Sequence, residues 1–422
     1  MKILATIIAS PLRKITGATN AGRDLSVATA ELADIELAIM WDRDETLTIG
    51  KLSVHHLRCT HPLGFVAPWV PRSVRVPLYD SKIPERIRLG DYDLIHIHNL
   101  VPTFAAERVA EACRRRGIPY VISTHGFNEL SRYAAINGFG RVKAALVDAA
   151  ITRPFRRIVA GAAGIFALSD REVDLLAGLG VGQERIHLVT NGVNEFYLAP
   201  PTHEELVKAR VRFRIGDGPI LLFMGSLHRY KGVDIFLKSL RIVRGPFQAV
   251  VAGKFKNDAE RSSLLNDARL GDDLASRVVF TGGVTDQELR ALYHLADLFV
   301  YPTLADSLPL VVLEAMACGL PVISTTVGGI PFVVRPEEGI LVPPKDIVTL
   351  SLAVNELLAD PSRSLAMGMA ARARVRETFR WSAAAARALD GYHAVLEASR
   401  GPIRRPETST EQNEAPVSTH VI

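Results

Sequence analysis

Cysteine is scarce: the chain carries only Cys59, Cys113 and Cys318 in 422 residues, far apart and in no CxxC arrangement. That usage argues against a disulfide framework and against a zinc site. Long apolar runs are missing as well. No stretch approaches the ~18 uninterrupted apolar residues that mark a membrane-spanning helix. The opening segment MKILATIIAS has one positive charge and a short apolar run, but no small-residue cleavage pattern follows it. It reads as a buried first strand rather than a signal peptide, and a cytoplasmic protein is expected. Clustered aromatics and recognisable nucleic-acid motifs are also absent, so nucleic acid is not expected as a partner.

What is present is an ordinary globular balance, 48% apolar and 23% charged residues. At this length one core is not enough, and two domains are expected. The net charge of +5 is unevenly placed. Residues 51–157 hold 17 Lys plus Arg against 8 Asp plus Glu. A basic face there suits an anionic membrane surface or a lipid diphosphate, and equally suits plain solvation.

Short apolar, β-branched runs alternate with stretches of helical period. In the first half strands are predicted at 3–8, 94–97, 120–123, 165–168 and 186–190. In the second they fall at 220–224, 249–252, 278–280, 298–300 and 322–324, with helices at 233–243, 286–295, 309–318 and 348–358. This βα alternation predicts an α/β fold of two doubly wound parallel sheets, each binding ligands at the carboxyl ends of its strands. The first domain is assigned to 1–197 and the second to 198–378. The turn residues and prolines of NGVNEFYLAPP lie at the boundary. A helix at 379–400 follows, and the Pro-, Thr-, Glu- and Ser-rich tail 401–422 reads as disordered.

Four segments carry candidate chemistry. In PTLADSLPLVVLEAMACGLPVI, residues 302–323, Asp306 precedes a helix and Glu314 lies one to two turns inside it. Two acids eight apart are common by chance in a chain with 45 of them, so the setting carries the inference. Ser307 is a capping type, Pro309 suits a first turn, and Gly319 and Pro321 end the helix. A helix start is a seat for a phosphate, and an acid beside it suits sugar hydroxyls; a simply capped helix is the plain alternative. The loop GSLHRYKG, 225–232, follows the second domain's first strand, with Gly225 for close backbone approach and Arg229 and Lys231 for charge. His125, before Gly126, stands at the end of a strand. Asp91 and Asp93 form a DxD that reads as a turn into a strand rather than a metal site. His96 and His98 read as two polar strand-end residues rather than metal ligands.

Together with DLIHIHN, YVISTHGF, IFALSDRE, RIHLVTNGV, RVVFTGGV, VGGIPFVV and GILVPPKD, in this order, these segments resemble the family 4 glycosyltransferases of the GT-B fold. The resemblance covers Lys2 to about Ser399. It implies two Rossmann-like domains facing across a cleft, and retaining transfer of a hexosyl unit from a nucleotide diphosphate sugar to a glycan or lipid-linked acceptor in cell-surface glycan or glycolipid synthesis. No metal or other cofactor is implied. Lys231 matches the diphosphate-binding lysine, Asp306 the first acid of E-x7-E near the donor sugar, and Glu314 the second, on the ribose. His125 faces the donor sugar from the first domain, Phe280 to Gly282 lie near the base, and Gly17 and Gly22 match the first domain's glycine loop. The last helix braces the first domain, and a basic first domain implies peripheral contact with the inner membrane face.

The chain departs from the family in three places. The first acid is Asp rather than Glu. The glycine-rich turn after it is Ser307-Leu308-Pro309, leading to Leu310. The arginine after Gly225 is Ser226, with Arg229 as its candidate replacement. A non-catalytic nucleotide-sugar-binding protein and a nucleotide-sugar epimerase of the same fold are the competing readings.

Overall fold

The structure, a computed structural model, describes residues 1–10, 17–64, 69, 75–125, 127 and 148–400. The tail at 401–422 and Gly126 lie outside the described residues.

Two sheets organise the chain. The first contains β1 (Lys2–Ile7), β2 (Asp34–Trp41), β3 (Glu45–Ile49), β4 (Leu52–Arg58), β5 (Leu94–His98), β6 (Tyr120–Ser123), β7 (Gly164–Ala167) and β8 (Ile186–Leu188). Their spatial order is β3-β4-β2-β1-β5-β6-β7-β8. All pairs are parallel except β3 with β4. The second sheet is wholly parallel, in the order β11-β10-β9-β12-β13-β14. Its strands are β9 (Ile220–Met224), β10 (Gln248–Ala252), β11 (Val278–Gly282), β12 (Leu298–Tyr301), β13 (Val322–Thr325) and β14 (Gly339–Val342).

Central strands such as β1 and β9 are buried on both faces, so they read as continuous apolar runs, and that is why periodicity found them. β2, β3, β4 and β14 were not anticipated. In β3 and β4 apolar residues alternate with Thr, Ser and His over a partly exposed edge, and that run is weak in apolar signal. Both sheets reverse their winding at one place, between β1 and β5 and between β9 and β12, and such switch points open a crevice at the strand ends.

The first sheet is packed on both faces and the second has a single continuous core. One face of the first sheet is closed by the last helix, Trp381–Arg400, which lies against the helix Gly17–Thr29 and against β7 and β8. It buries Trp381, Ala384, Ala385, Ala388, Tyr392 and Val395. Gly391 permits this contact: a Cβ there would stand 2.7 Å from Cε1 of Phe166. The chain therefore crosses between sheets twice, and the crossings are joined. The Val193 amide donates to the Phe379 carbonyl at 2.8 Å, Arg387 Nη2 donates to Thr190 Oγ1 at 2.7 Å, and Arg380 pairs with Glu195.

Part of the basic charge of the first domain is paired locally. Arg86 pairs with Glu36, Lys82 with Asp44, Arg108 with Asp80, Arg114 and Arg115 with Glu111, and Arg157 with Glu107. Among the described residues no helix is long and apolar enough to cross a membrane.

Candidate active site

The loops after β9 and β12, which flank the second switch point, are stitched together by backbone. The Leu304 amide and Thr303 Oγ1 both donate to the Tyr230 carbonyl, at 2.8 and 3.1 Å. Gly232 sits at φ +80, and a Cβ there would stand 1.9 Å from the Pro302 carbonyl oxygen. This contact is backbone on backbone, so only glycine allows the loops to close.

The result brings Lys231 to the acid box. Lys231 Nζ donates to Asp306 Oδ2 at 2.5 Å, and Tyr301 Oη donates to the same oxygen at 2.9 Å. Both charged side chains are mostly shielded, at 19% and 17% exposed. Arg229 is not brought there. Two positions earlier on the same 3-10 turn, it points to the outer helices, donating to Asp267 at 2.6 Å with Asp234 3.5 Å away. Those acids stabilise its charge, and Arg229 does not fill the place left by Ser226.

The helix begins later than the sequence signals indicate. It runs Leu310–Ala317, with Pro309 extended at the N-cap (φ −70°, ψ 123°) and no side-chain cap. Ser307 does not cap the helix, and its buried Oγ has no partner among the described residues. The cause is tertiary. The Gly329 amide donates to the Ser307 carbonyl at 2.6 Å, and Gly328, at φ +55, lies so close that a Cβ would stand 1.8 Å from the Asp306 carbonyl oxygen. Residues 306–308 are thereby held as a turn, and the Asn191 side chain donates to the Leu308 carbonyl at 2.8 Å. With no side-chain cap, the first-turn N–H groups of the helix are available to an anion. Gly319, at φ +84, ends the helix as expected.

Glu314 faces a cavity of about 360 Å³ between the two sheets. Leu310, Asp286 and Gln287 line it from one side, Asn20, Arg23 and Asp24 of the Gly17–Thr29 helix from the other, and the linker residues Asn194 and Tyr197 close it. Burial pushes the Glu314 carboxyl up to about 7, while Tyr293 Oη, donating to Oε2 at 3.1 Å, offsets part of the rise.

On the first domain His125 stands two residues past the end of β6 and is buried, which lowers its imidazole to about 4 and keeps it neutral at pH 7. Its ring centroid lies 6.0 Å from that of His98. Gly22 packs on His98: a Cβ would stand 2.9 Å from Cγ. Gly17 begins the helix with open space around it. The two β5 histidines stand at the carboxyl end of their strand, as expected, and are interior residues. Both are fully buried: His98 lies under Gly22 of the Gly17–Thr29 helix, and His96 bonds Tyr392 Oη of the last helix at 2.7 Å and Ser123 Oγ at 2.8 Å. Asp93 accepts from the Lys2 backbone amide at 2.7 Å. Gly225 donates its amide to Ala252, and Phe280, half-buried, has its ring 5.7 Å from that of Phe255. Tyr301, Tyr293, Asn191 and the Gly328-Gly329 pair were not singled out from the sequence. Asn191 and the glycine pair do lie within the motifs RIHLVTNGV and VGGIPFVV, which gave them no individual role.

Two family models match the chain: Glycosyltransferase Family 4 over residues 34–195 and Glycosyl transferases group 1 over residues 218–360. A D-inositol 3-phosphate glycosyltransferase of Pseudarthrobacter chlorophenolicus is 30% identical over 334 residues, covering 75% of this chain and 74% of that protein. The chain is a family 4 glycosyltransferase. A GDP-mannose-dependent alpha-(1-6)-phosphatidylinositol monomannoside mannosyltransferase of Mycolicibacterium smegmatis is 33% identical over 201 residues, 44% of this chain and 51% of that one. Among solved structures, sucrose-phosphate synthase of Thermosynechococcus elongatus superposes with a TM-score of 0.72 at 23% identity, covering 94% of this chain and all of that one. Anabaena HepE in complex with UDP-glucose gives 0.69 at 17% identity, over 93% of this chain and all of that one. The glycosyltransferase thus has the GT-B architecture of two facing Rossmann-like domains.

Proposed function

We propose that this glycosyltransferase moves a hexosyl unit from a nucleotide diphosphate sugar to a hydroxyl of a glycan or lipid-linked acceptor, with retention of configuration. The observation that carries the reading is Lys231 seated beside Asp306 at the second switch point, next to an uncapped helix start. The diphosphate binds Lys231 and the amides at Leu310. Glu314 accepts from the ribose hydroxyls in the cavity, and Asp306 accepts from the transferred sugar. His125, neutral, meets that sugar from the first domain.

In the reaction the bond from the anomeric carbon to the phosphate oxygen breaks and the bond to the acceptor oxygen forms on the same face. The acceptor proton passes to the departing diphosphate. Asp306 is an improbable nucleophile for double displacement, because Lys231 and Tyr301 both hold its Oδ2. Lys231 and the helix dipole stabilise the charge that builds on the leaving group, a role that requires no divalent cation. Relatives named for inositol 3-phosphate and phosphatidylinositol monomannoside support an anionic, lipid-linked or cell-surface acceptor met at the membrane face.

The test is nucleoside diphosphate release from a panel of nucleotide sugars, with and without acceptor. Lys231→Ala is expected to lower turnover at least ~100-fold, the range of a lost oxyanion-type contact, while the variant stays folded. Release is expected to persist in EDTA. Near-normal turnover of the variant sinks the assignment; binding without turnover favours a non-catalytic protein, and a changed sugar without nucleotide release favours an epimerase.

A further inference from the structure

Lys254 lies at the carboxyl edge of the second sheet, just past β10 and beside the edge strand β11. Its carbonyl accepts from the Leu227 amide of the loop after β9 at 3.2 Å, and the Gly253 amide donates to the Gly282 carbonyl at the end of β11 at 2.9 Å. The side chain crosses toward β11. A Cβ on Gly283 would stand 2.2 Å from Lys254 Cε and 3.1 Å from Nζ, so the lysine lies flat on bare backbone. Any side chain at position 283 would displace it.

Its charge is also uncommitted. Lys231 is paired with Asp306, and Arg229 and Lys238 share Asp267. Lys254 is exposed and makes no ion pair among the described residues. Gly282, at φ +70, turns the chain out of β11, and the segment reaches Asp286 and Gln287, which line the cavity around Glu314. A nucleotide with its diphosphate on Lys231 and its ribose at Glu314 carries its base to this segment. The aromatic contact between Phe255 and Phe280 anchors the two strand ends that form the seat.

We propose that Lys254 reads the nucleobase of the donor at the uracil C4 or guanine C6 position, favouring the oxo oxygen these bases carry there over the amino group of cytosine or adenine; this rests on the nucleotide-sugar reading above. An ammonium group only donates hydrogen bonds. At the edge that distinguishes the bases, uracil O4 and guanine O6 accept, whereas the N4 amino group of cytosine and the N6 amino group of adenine donate and oppose it. A phosphate role is disfavoured by direction: the side chain leans toward β11, two strand spacings or about 10 Å from β9, where Lys231 originates.

The experiment is calorimetric titration of the full chain and of Lys254→Met with UDP, GDP, ADP and CDP. The wild type is expected to bind UDP or GDP about 10-fold more tightly than ADP and CDP. Lys254→Met is expected to lose that preference by weakening the oxo-base nucleotide alone, with an unchanged thermal midpoint. Equal weakening of all four nucleotides assigns the lysine to phosphate and overturns the proposal, as does no change or a wild-type preference for adenine or cytosine. No binding of any nucleotide by the wild type instead overturns the donor reading itself.

Discussion

Burial raises the Glu314 carboxyl from 4.5 to about 7, a shift worth roughly 3 kcal/mol. The folded state holds this proton more tightly than the unfolded state. Its contribution to stability is therefore complete below the ordinary carboxyl range and is lost as pH rises through about 7. Glu314→Gln removes that dependence while keeping an acceptor for Tyr293. The variant is expected to match the wild type in thermal midpoint near pH 4.5 and exceed it at pH 8, while binding nucleotide less well. An equal offset at both pH values shows that the carboxyl does not titrate in this window. Arg229 and Lys231 illustrate what residue type alone leaves open. Both are cations in one short loop, but on a tight 3-10 turn, positions two apart point in different directions, and only the partners decide. Lys231 finds Asp306 across the switch point; Arg229 finds Asp267 on an outer helix.

The turn Asp306–Pro309 is an element defined from outside itself. Its Ser and Pro are ordinary helix-start signals, and the helix was expected to begin among them. Gly328 and Gly329 instead press against the Asp306 and Ser307 carbonyls, so the chain is held in a turn up to an extended Pro309 before winding. Gly328→Ala combines a left-handed backbone, at φ +55, with a 1.8 Å overlap onto main chain. A cost of about 2 kcal/mol or more is expected, together with weakened nucleotide diphosphate binding. Thermal melting with and without UDP or GDP measures both. If nucleotide-induced stabilisation remains at the wild-type level, the glycine pair does not position Asp306. The eight-residue helix itself was legible, because Gly319 and Pro321 stop it by local chemistry alone. Strands β3 and β4 were not, since an edge hairpin buries little and so carries a weak apolar pattern.

At the scale of the molecule, the two domains depend on the paired crossings near Gly192 and Trp381. A Cβ on Gly192 would stand 2.4 Å from the Trp381 amide nitrogen and 2.7 Å from the Arg380 carbonyl carbon, both backbone atoms that cannot yield cheaply. Gly192→Ala is expected to lower the thermal midpoint by several degrees and to reduce transfer, whereas Gly178→Ala, with nothing within 4 Å, changes neither. Matching behaviour of the two variants removes the crossing as a determinant of the interdomain site. By itself the sequence determined the α/β class, the tandem repeat of doubly wound units, and the segments that hold Lys231, Asp306, Glu314 and His125. Each of these rests on local pattern: buried parallel strands are continuously apolar, and glycine and proline punctuate them. The tertiary structure alone decided which side chains meet. Lys231 and Asp306 are 75 positions apart and His96 and Tyr392 are 296 apart, and Asn20, Arg23 and Asp24 of the first domain wall the cavity of Glu314. Such partners are set by how strand order folds distant loops onto one edge, a long-range outcome that local periodicity does not encode.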